Sequence, residues 1–154
     1  MPQELTIRAA TLDDLEVLLG FQQGVVAAER PFDPTLKPGE LQYYDIEELI
    51  KAPHVYLVVA EYNQQLIASG YARIQAAKPY LLHDKYAYLG FIYVRPEYRG
   101  QGVSTRILAA LKQWAQQQGL TEMRLEVYSD NTAARRAYEK FGFSAHMLEM
   151  RAAV

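Results

Sequence analysis

Apolar positions change their spacing along the chain, and each change marks an element. Leu5 to Arg8 reads as an opening strand. Thr11-Leu-Asp-Asp14 follows, a hydroxyl residue with an acid three places on, the pattern that opens a helix. Leu15, Leu18, Leu19, Val25 and Val26 then recur at helical spacing to about Ala28, although Gly20 and Gly24 weaken that helix. Pro31, Pro34 and Pro38 impose a loop, because each fixes its own φ and restricts its predecessor. A short helix over Asp45 to Lys51 stops before Pro53. His54 to Glu61 and Leu66 to Gln75 are rich in β-branched, aromatic and small apolar residues, and the polar Tyr62 to Gln65 between them reads as a hairpin turn. Tyr86 to Val94 is a near-continuous apolar run that fits a strand buried on both faces. Val103 to Gln118 has a helical stripe of Ile107, Leu108, Leu111 and Ala115, with Gly119 beyond its end. Met123 to Tyr128 reads as a strand. Asp130 and Asn131 can cap a helix to about Phe141, Gly142 ends it, and a last strand is expected from near Phe143.

The order is β-α-α-β-β-β-α-β-α-β, without repeats or linkers, which predicts one α/β domain over residues 1–154. Its expected form is a mixed central sheet of about six to seven strands with helices on both faces. The chain's 154 residues, half of them hydrophobic and 22% charged, suffice for one packed core, with roughly 7,900 Å² of surface expected once folded. With no cysteine, disulfides and thiol nucleophiles are excluded. The N-terminal residues lack the basic and apolar regions of a secretory leader, and apolar runs such as Val55 to Ala60 are too short to span a bilayer, so the cytoplasm is the expected location and no membrane partner is expected. A net charge of −2 without a basic cluster argues against nucleic acid. The charge is unevenly divided: residues 1–94 carry seven basic and twelve acidic side chains, and residues 95–140 carry eight and five. The second part suits a polyanion and the first a cation.

The strongest local signal is Val94-Arg-Pro-Glu-Tyr-Arg-Gly-Gln-Gly-Val-Ser104, between a buried strand and a helix. Glycines let backbone N–H groups approach a ligand, and the helix start adds free N–H groups at its positive end. Together they make an anion cradle, unless the segment is simply a glycine-rich turn. It lacks the Gly-Lys-Ser/Thr of a nucleotide P-loop and the third glycine of a dinucleotide fingerprint.

Arg99-Gly-Gln-Gly102-Val-Ser104 resembles the Arg/Gln-x-x-Gly-x-Gly/Ala motif of the GCN5-related N-acetyltransferase (GNAT) family, departing only at its last position. Leu125-Glu-Val-Tyr-Ser-Asp-Asn131, continuing through Tyr138 to Gly142-Phe143, resembles the family's second signature at the expected distance. With the strand before them the two blocks cover residues 86–143. The resemblance implies acetyl transfer from acetyl-CoA to a primary amine, by direct attack in a ternary complex and without a metal. A non-catalytic acyl-CoA sensor is the alternative.

The resemblance assigns roles residue by residue. Backbone amides of Gly100, Gln101, Gly102, Val103, Ser104 and Thr105, after Arg99, would hold the pyrophosphate. Ile92, Tyr93 and Val94 would pair with pantetheine and polarise the thioester carbonyl, where the strands of 86–94 and 123–128 are expected to splay. Asn131 matches a position that reaches the pantetheine arm, and it can equally cap its helix. Tyr138, two helical turns along nearly the same face, matches the acid that protonates the departing thiolate, and a core tyrosine with a satisfied hydroxyl is the other reading. Glu126 occupies the position regarded as general base in the ribosomal-protein N-terminal acetyltransferase branch, and an ordinary solvated strand glutamate is the other reading. A base is needed because holding a lysine neutral at pH 7 costs about 4 kcal/mol, and an α-amine about 1. His83 is a weaker candidate, and His54 and His146 have no metal-ligand spacing. Tyr80, Tyr86, Tyr88 and Tyr93, with Phe32, Glu29 and Asp33, could wall a small-molecule or peptide amine acceptor, or could be ordinary sheet packing. The acceptor itself has no readable motif. The resemblance also allows a homodimer.

Overall fold

The computed structural model describes residues 4–154; the first three residues, on which the expectation about a leader partly rests, lie outside it. A five-stranded sheet in the order β1-β2-β3-β4-β5 carries helices on both faces. Its strands are β1 (Thr6–Ala9), β2 (Val55–Tyr62), β3 (Gln65–Ala76), β4 (Lys85–Val94) and β5 (Met123–Arg124), and its helices α1 (Leu15–Glu29), α2 (Ile46–Lys51), α3 (Val103–Gln117) and α4 (Thr132–Phe141). Neighbouring strands are antiparallel except β4 and β5, which run parallel. Among the described residues no helix is long and apolar enough to cross a membrane.

Strand alternation sorts the core into two layers. Val58, Ala60, Ala72, Ala87 and Leu89 face α3, which answers with Val103, Ile107, Leu108 and Leu111. Leu57, Val59, Tyr71 and Phe91 face α1 and α2, met by Leu18, Phe21, Val25, Ile46 and Leu49. The Thr11 motif opens a short 3-10 turn rather than α1 itself: the Asp14 carboxylate accepts the Thr11 N–H at 2.8 Å while binding Arg8 through both oxygens. Asp45 caps α2 by accepting the Glu48 N–H. The β2–β3 hairpin turns on Asn63 and Gln64, both at positive φ.

The expected strand over Met123 to Tyr128 is cut to two residues, and the expected last strand from Phe143 is absent, so the sheet has five strands rather than six or seven. Beyond Tyr88↔Arg124 the chain leaves β4 and has no ladder to follow. So short a β5 offers the C-terminal segment almost no edge to pair with. Residues 143–154 lie without helix or strand and expose Met147, Leu148 and Met150. The accessible surface, 10211 Å², accordingly exceeds the roughly 7,900 Å² expected of a closed domain of this size.

The two glycines that weaken α1 have different surroundings. A Cβ on Gly24 would lie 2.5 Å from a ring carbon of Tyr93, so α1 rests on the end of β4 at that point; one on Gly20 would touch nothing within 4 Å. Gly20→Ala should therefore stabilise the protein by about 0.5–1 kcal/mol, whereas Gly24→Ala should destabilise it by about 1–3 kcal/mol through overpacking. Urea denaturation of both variants checks the contrast; equal gains would contradict the packing described.

Candidate functional site

The site forms where the sheet parts. β4 and β5 pair only at Ala87↔Met123 and Tyr88↔Arg124, so Leu89 to Val94 have no strand partner on that side. On its other side β4 is paired with β3 along its length, but with a bulge: it holds one more residue between Gly90 and Tyr93 than β3 does between Tyr71 and Ser69. Phe91 absorbs the extra residue at φ 56°, a left-handed conformation unusual for a bulky side chain. The buried Ser69 hydroxyl donates to the Phe91 carbonyl at 2.9 Å and fixes the bulge. Ile92, Tyr93 and Val94 follow it directly, at the parted end.

Five residues beyond Val94 the Arg99 guanidinium donates to the Val94 carbonyl at 3.0 Å and lies over the Tyr93 ring. Gly100 and Gly102 take positive φ, and Gly102 is the N-terminal cap of α3. The first helical N–H bonded back is that of Arg106, to the Gly102 carbonyl, which leaves the N–H groups of Val103, Ser104 and Thr105 free of intrahelical partners. A Cβ built on either glycine would meet nothing within 4 Å, so the cradle opens outward. A polyanion fits this donor set.

Asn131 accepts the Ala134 N–H through its side-chain oxygen and caps α4, which leaves its amide NH₂ uncommitted. Tyr138, on α4, packs edge-on to Phe143. Burial, and then the Glu29 carboxylate, push the Tyr138 hydroxyl up to about 12. The same Glu29 acts on Tyr43, Tyr44 and Tyr128 and is itself raised by burial. The end of α1 thus stands beside Tyr128 and Tyr138, an approach the sequence pattern does not reveal.

Glu126 lies just past β5, in the irregular stretch after the strand, and its Oε1 accepts the Tyr88 hydroxyl at 2.6 Å. Burial first, and Glu126 second, push Tyr88 above the ordinary tyrosine range. Both residues line a cleft of about 410 Å³ with Tyr44, Glu48, His54 and Arg73. A second hollow of about 430 Å³ at the far end of β2 is bordered by the paired Arg8, Asp14 and Glu61 and belongs to the fold.

The expected aromatic and acidic wall divides. Tyr88 lines the cleft, but Tyr93 packs on Phe21, Tyr86 is buried under the Arg124 guanidinium, and Tyr80 is exposed. Phe32 stacks on Tyr128. Asp33 is already engaged by Thr35, the Tyr128 hydroxyl and Arg151 of the C-terminal segment, with Thr35 foremost in holding it down at about 2. His83 sits between Glu122 and Arg124, and the described residues contain no cluster of three metal-ligating side chains.

Comparison with known proteins places this geometry in a family. Residues 23–143 match the Acetyltransferase (GNAT) family. The uncharacterized N-acetyltransferase YobR of Bacillus subtilis is 41% identical over 61 residues, which are 40% of this chain and only 25% of that protein. The aminoglycoside N(6')-acetyltransferase type 1 of Salmonella typhimurium is 26% identical over 109 residues, 69% of this chain and 74% of that one. A predicted acetyltransferase from Clostridium acetobutylicum, solved with acetyl-CoA, shares the fold with a TM-score of 0.73 at 21% identity, over 96% of each chain. The parted sheet, the glycine-capped helix and the match over most of the chain agree: this chain belongs to the GNAT family of N-acetyltransferases.

Proposed function

We propose that this chain transfers the acetyl group of acetyl-CoA to a primary amine by direct attack within a ternary complex. The observation that carries the reading is the continuity of the parted β4 edge with the open amide cradle of α3: one run of chain, 89–105, presents strand backbone without a partner and then free helix N–H groups. An acyl donor that is a long amide-bearing arm ending in phosphates matches that order of donors.

In this reading the amides of Gly100 to Thr105 hold the pyrophosphate. Backbone groups of Ile92, Tyr93 and Val94 align the pantetheine arm, and an N–H fixed by the bulge faces the oxyanion that develops on the thioester carbonyl. Asn131 offers its free NH₂ to the arm while capping α4. Glu126, its Oε1 held by Tyr88, takes the proton of the acceptor ammonium directly or through water. The neutral nitrogen forms the new N–C bond, the C–S bond breaks, the Tyr138 hydroxyl gives its proton to the leaving thiolate, and the surplus proton of the new amide nitrogen passes through water to restore Tyr138. No acyl-enzyme is needed. The names of the relatives, an aminoglycoside acetyltransferase among them, support a small-molecule amine acceptor.

Four measurements test these roles. Gly102→Glu places a carboxylate, and a side chain where φ is 82°, inside the cradle, so calorimetric titration should show acetyl-CoA affinity falling at least about tenfold; unchanged affinity in a folded variant would remove the cradle assignment. Thiol release across a panel of amines separates an enzyme from an acyl-CoA sensor, which would bind without turnover.

Tyr138→Phe should lower turnover by about 10²- to 10⁴-fold with acetyl-CoA binding nearly intact. A hydroxyl held up at about 12 stays protonated at any working pH, so the wild-type turnover profile should show no alkaline fall below about pH 11 from this group. A descending limb near pH 9 to 10 that vanishes in the Phe variant would place its titration lower than burial dictates.

Glu126→Gln should slow the reaction by about 10²-fold at neutral pH and recover partly as pH rises, because more of the acceptor is then already neutral. Rates compared at pH 7 and 9.5 decide it, and an unchanged rate at both would return Glu126 to a structural role.

A further inference from the structure

The cleft that holds Glu126 also holds a cation without an acid. Arg73 lies on β3 opposite Tyr88 of β4, two residues after Tyr71, and all three project to the face carrying α1 and α2. Its guanidinium carbon is 5.6 Å from the centre of the Tyr71 ring and 5.5 Å from that of Tyr88. It forms no ion pair: the salt bridges of the described residues involve other basic groups. Its one side-chain hydrogen bond is a long one to the Gln75 amide oxygen at 3.4 Å.

That environment is selective. The two rings attract the cation and limit its movement but accept none of its hydrogen bonds, so most of its five N–H donors remain for an anion. A planar guanidinium held between rings offers a fork matched to a carboxylate or a phosphate. The cleft's own charges choose between these. Asp45, Glu48 and Glu126 line the same space, and a dianionic phosphate would be repelled by all three. A carboxylate on a molecule that also carries an ammonium satisfies both signs at once.

We propose that Arg73 binds a carboxylate of the acceptor, so that the amine acetylated in this cleft belongs to an amino acid or a similar zwitterion rather than to a simple polycation. The inference rests on the transferase reading for the cleft's purpose but makes its own claim about binding. Glu126 and its acidic neighbours face the ammonium end, and the Arg73 fork holds the other.

The test is calorimetric titration of the full chain saturated with CoA, using matched pairs that differ by the carboxylate: L-lysine and cadaverine, L-ornithine and putrescine, L-phenylalanine and phenethylamine. At least one amino acid should bind tenfold or more tightly than its decarboxylated partner. Arg73→Gln should weaken that amino acid by about 10- to 100-fold, the worth of a charge-assisted pair, and shift its partner less than threefold. Arg73→Lys, which keeps the charge and loses the fork, should fall between. Preference for the decarboxylated amines, equal loss for both members of a pair, or no measurable binding by any of the amino acids would overturn the proposal. Because titration reads binding alone, absence of thiol release would count against acetyl transfer without touching this result, and acetylation confined to the decarboxylated amines would do the reverse.

Discussion

β4 is paired along its length on one side, apart from the bulge at Phe91, and only as far as Tyr88 on the other, and the candidate site descends from that asymmetry. A strand in mid-sheet normally spends both edges on its neighbours. Here one edge is released while both faces remain buried, by α3 on one side and α1 with α2 on the other. The unpaired backbone is therefore held on a rigid, packed strand rather than on a loop. The chain then turns through Arg99 and the two left-handed glycines into α3, so the second set of free amides is placed by the same rigid body.

The face of the sheet under α1 and α2 is built by a different economy of charge. Tyrosines carry much of the packing, and carboxylates are set against them: Glu126 at the Tyr88 hydroxyl, Glu29 acting on Tyr43, Tyr44, Tyr128 and Tyr138. Burial pushes these phenols up, and a nearby carboxylate pushes further in the same direction, since both disfavour the phenolate. The hydroxyls consequently stay protonated, and those of Tyr88 and Tyr128 donate to Glu126 and Asp33. Tyr138 and Tyr88 thus suit giving a hydrogen bond or a proton, which is the chemistry a leaving thiolate or an anchored carboxylate calls for.

What could be read in the sequence was local. The Arg99-Gly-Gln-Gly102 turn, the Asn131 cap and the Gly142 stop each depend on residues within a few places of one another, and each is found where the pattern puts it. The strand at Met123 to Tyr128 and the one expected after Phe143 depend on distant partners: their residues suit a strand, but a ladder needs an edge, and the parted β4 withholds one. The Tyr88–Glu126 bond spans 38 residues and required the parallel register of β4 and β5 before it could be seen. Gly24 showed the opposite failure. Its effect on α1 was legible as a weakness, while its reason, the Tyr93 ring against the helix, lay some seventy residues away.

The Gly90-Phe91 pair has a consequence for how this sequence can drift. Elsewhere in the sheet one apolar residue can replace another at modest penalty, because the layers tolerate changes of shape at constant volume. At 90 any side chain would enter the space of the Tyr71 hydroxyl, 2.5 Å from where a Cβ would sit. At 91 the left-handed backbone disfavours valine, isoleucine and threonine, the residues that strands otherwise prefer, while the buried ring demands bulk. The two positions thus accept neither each other's residue nor the common substitutes of their neighbours. Divergent copies of this chain would be free to rewrite much of the core before altering these two letters.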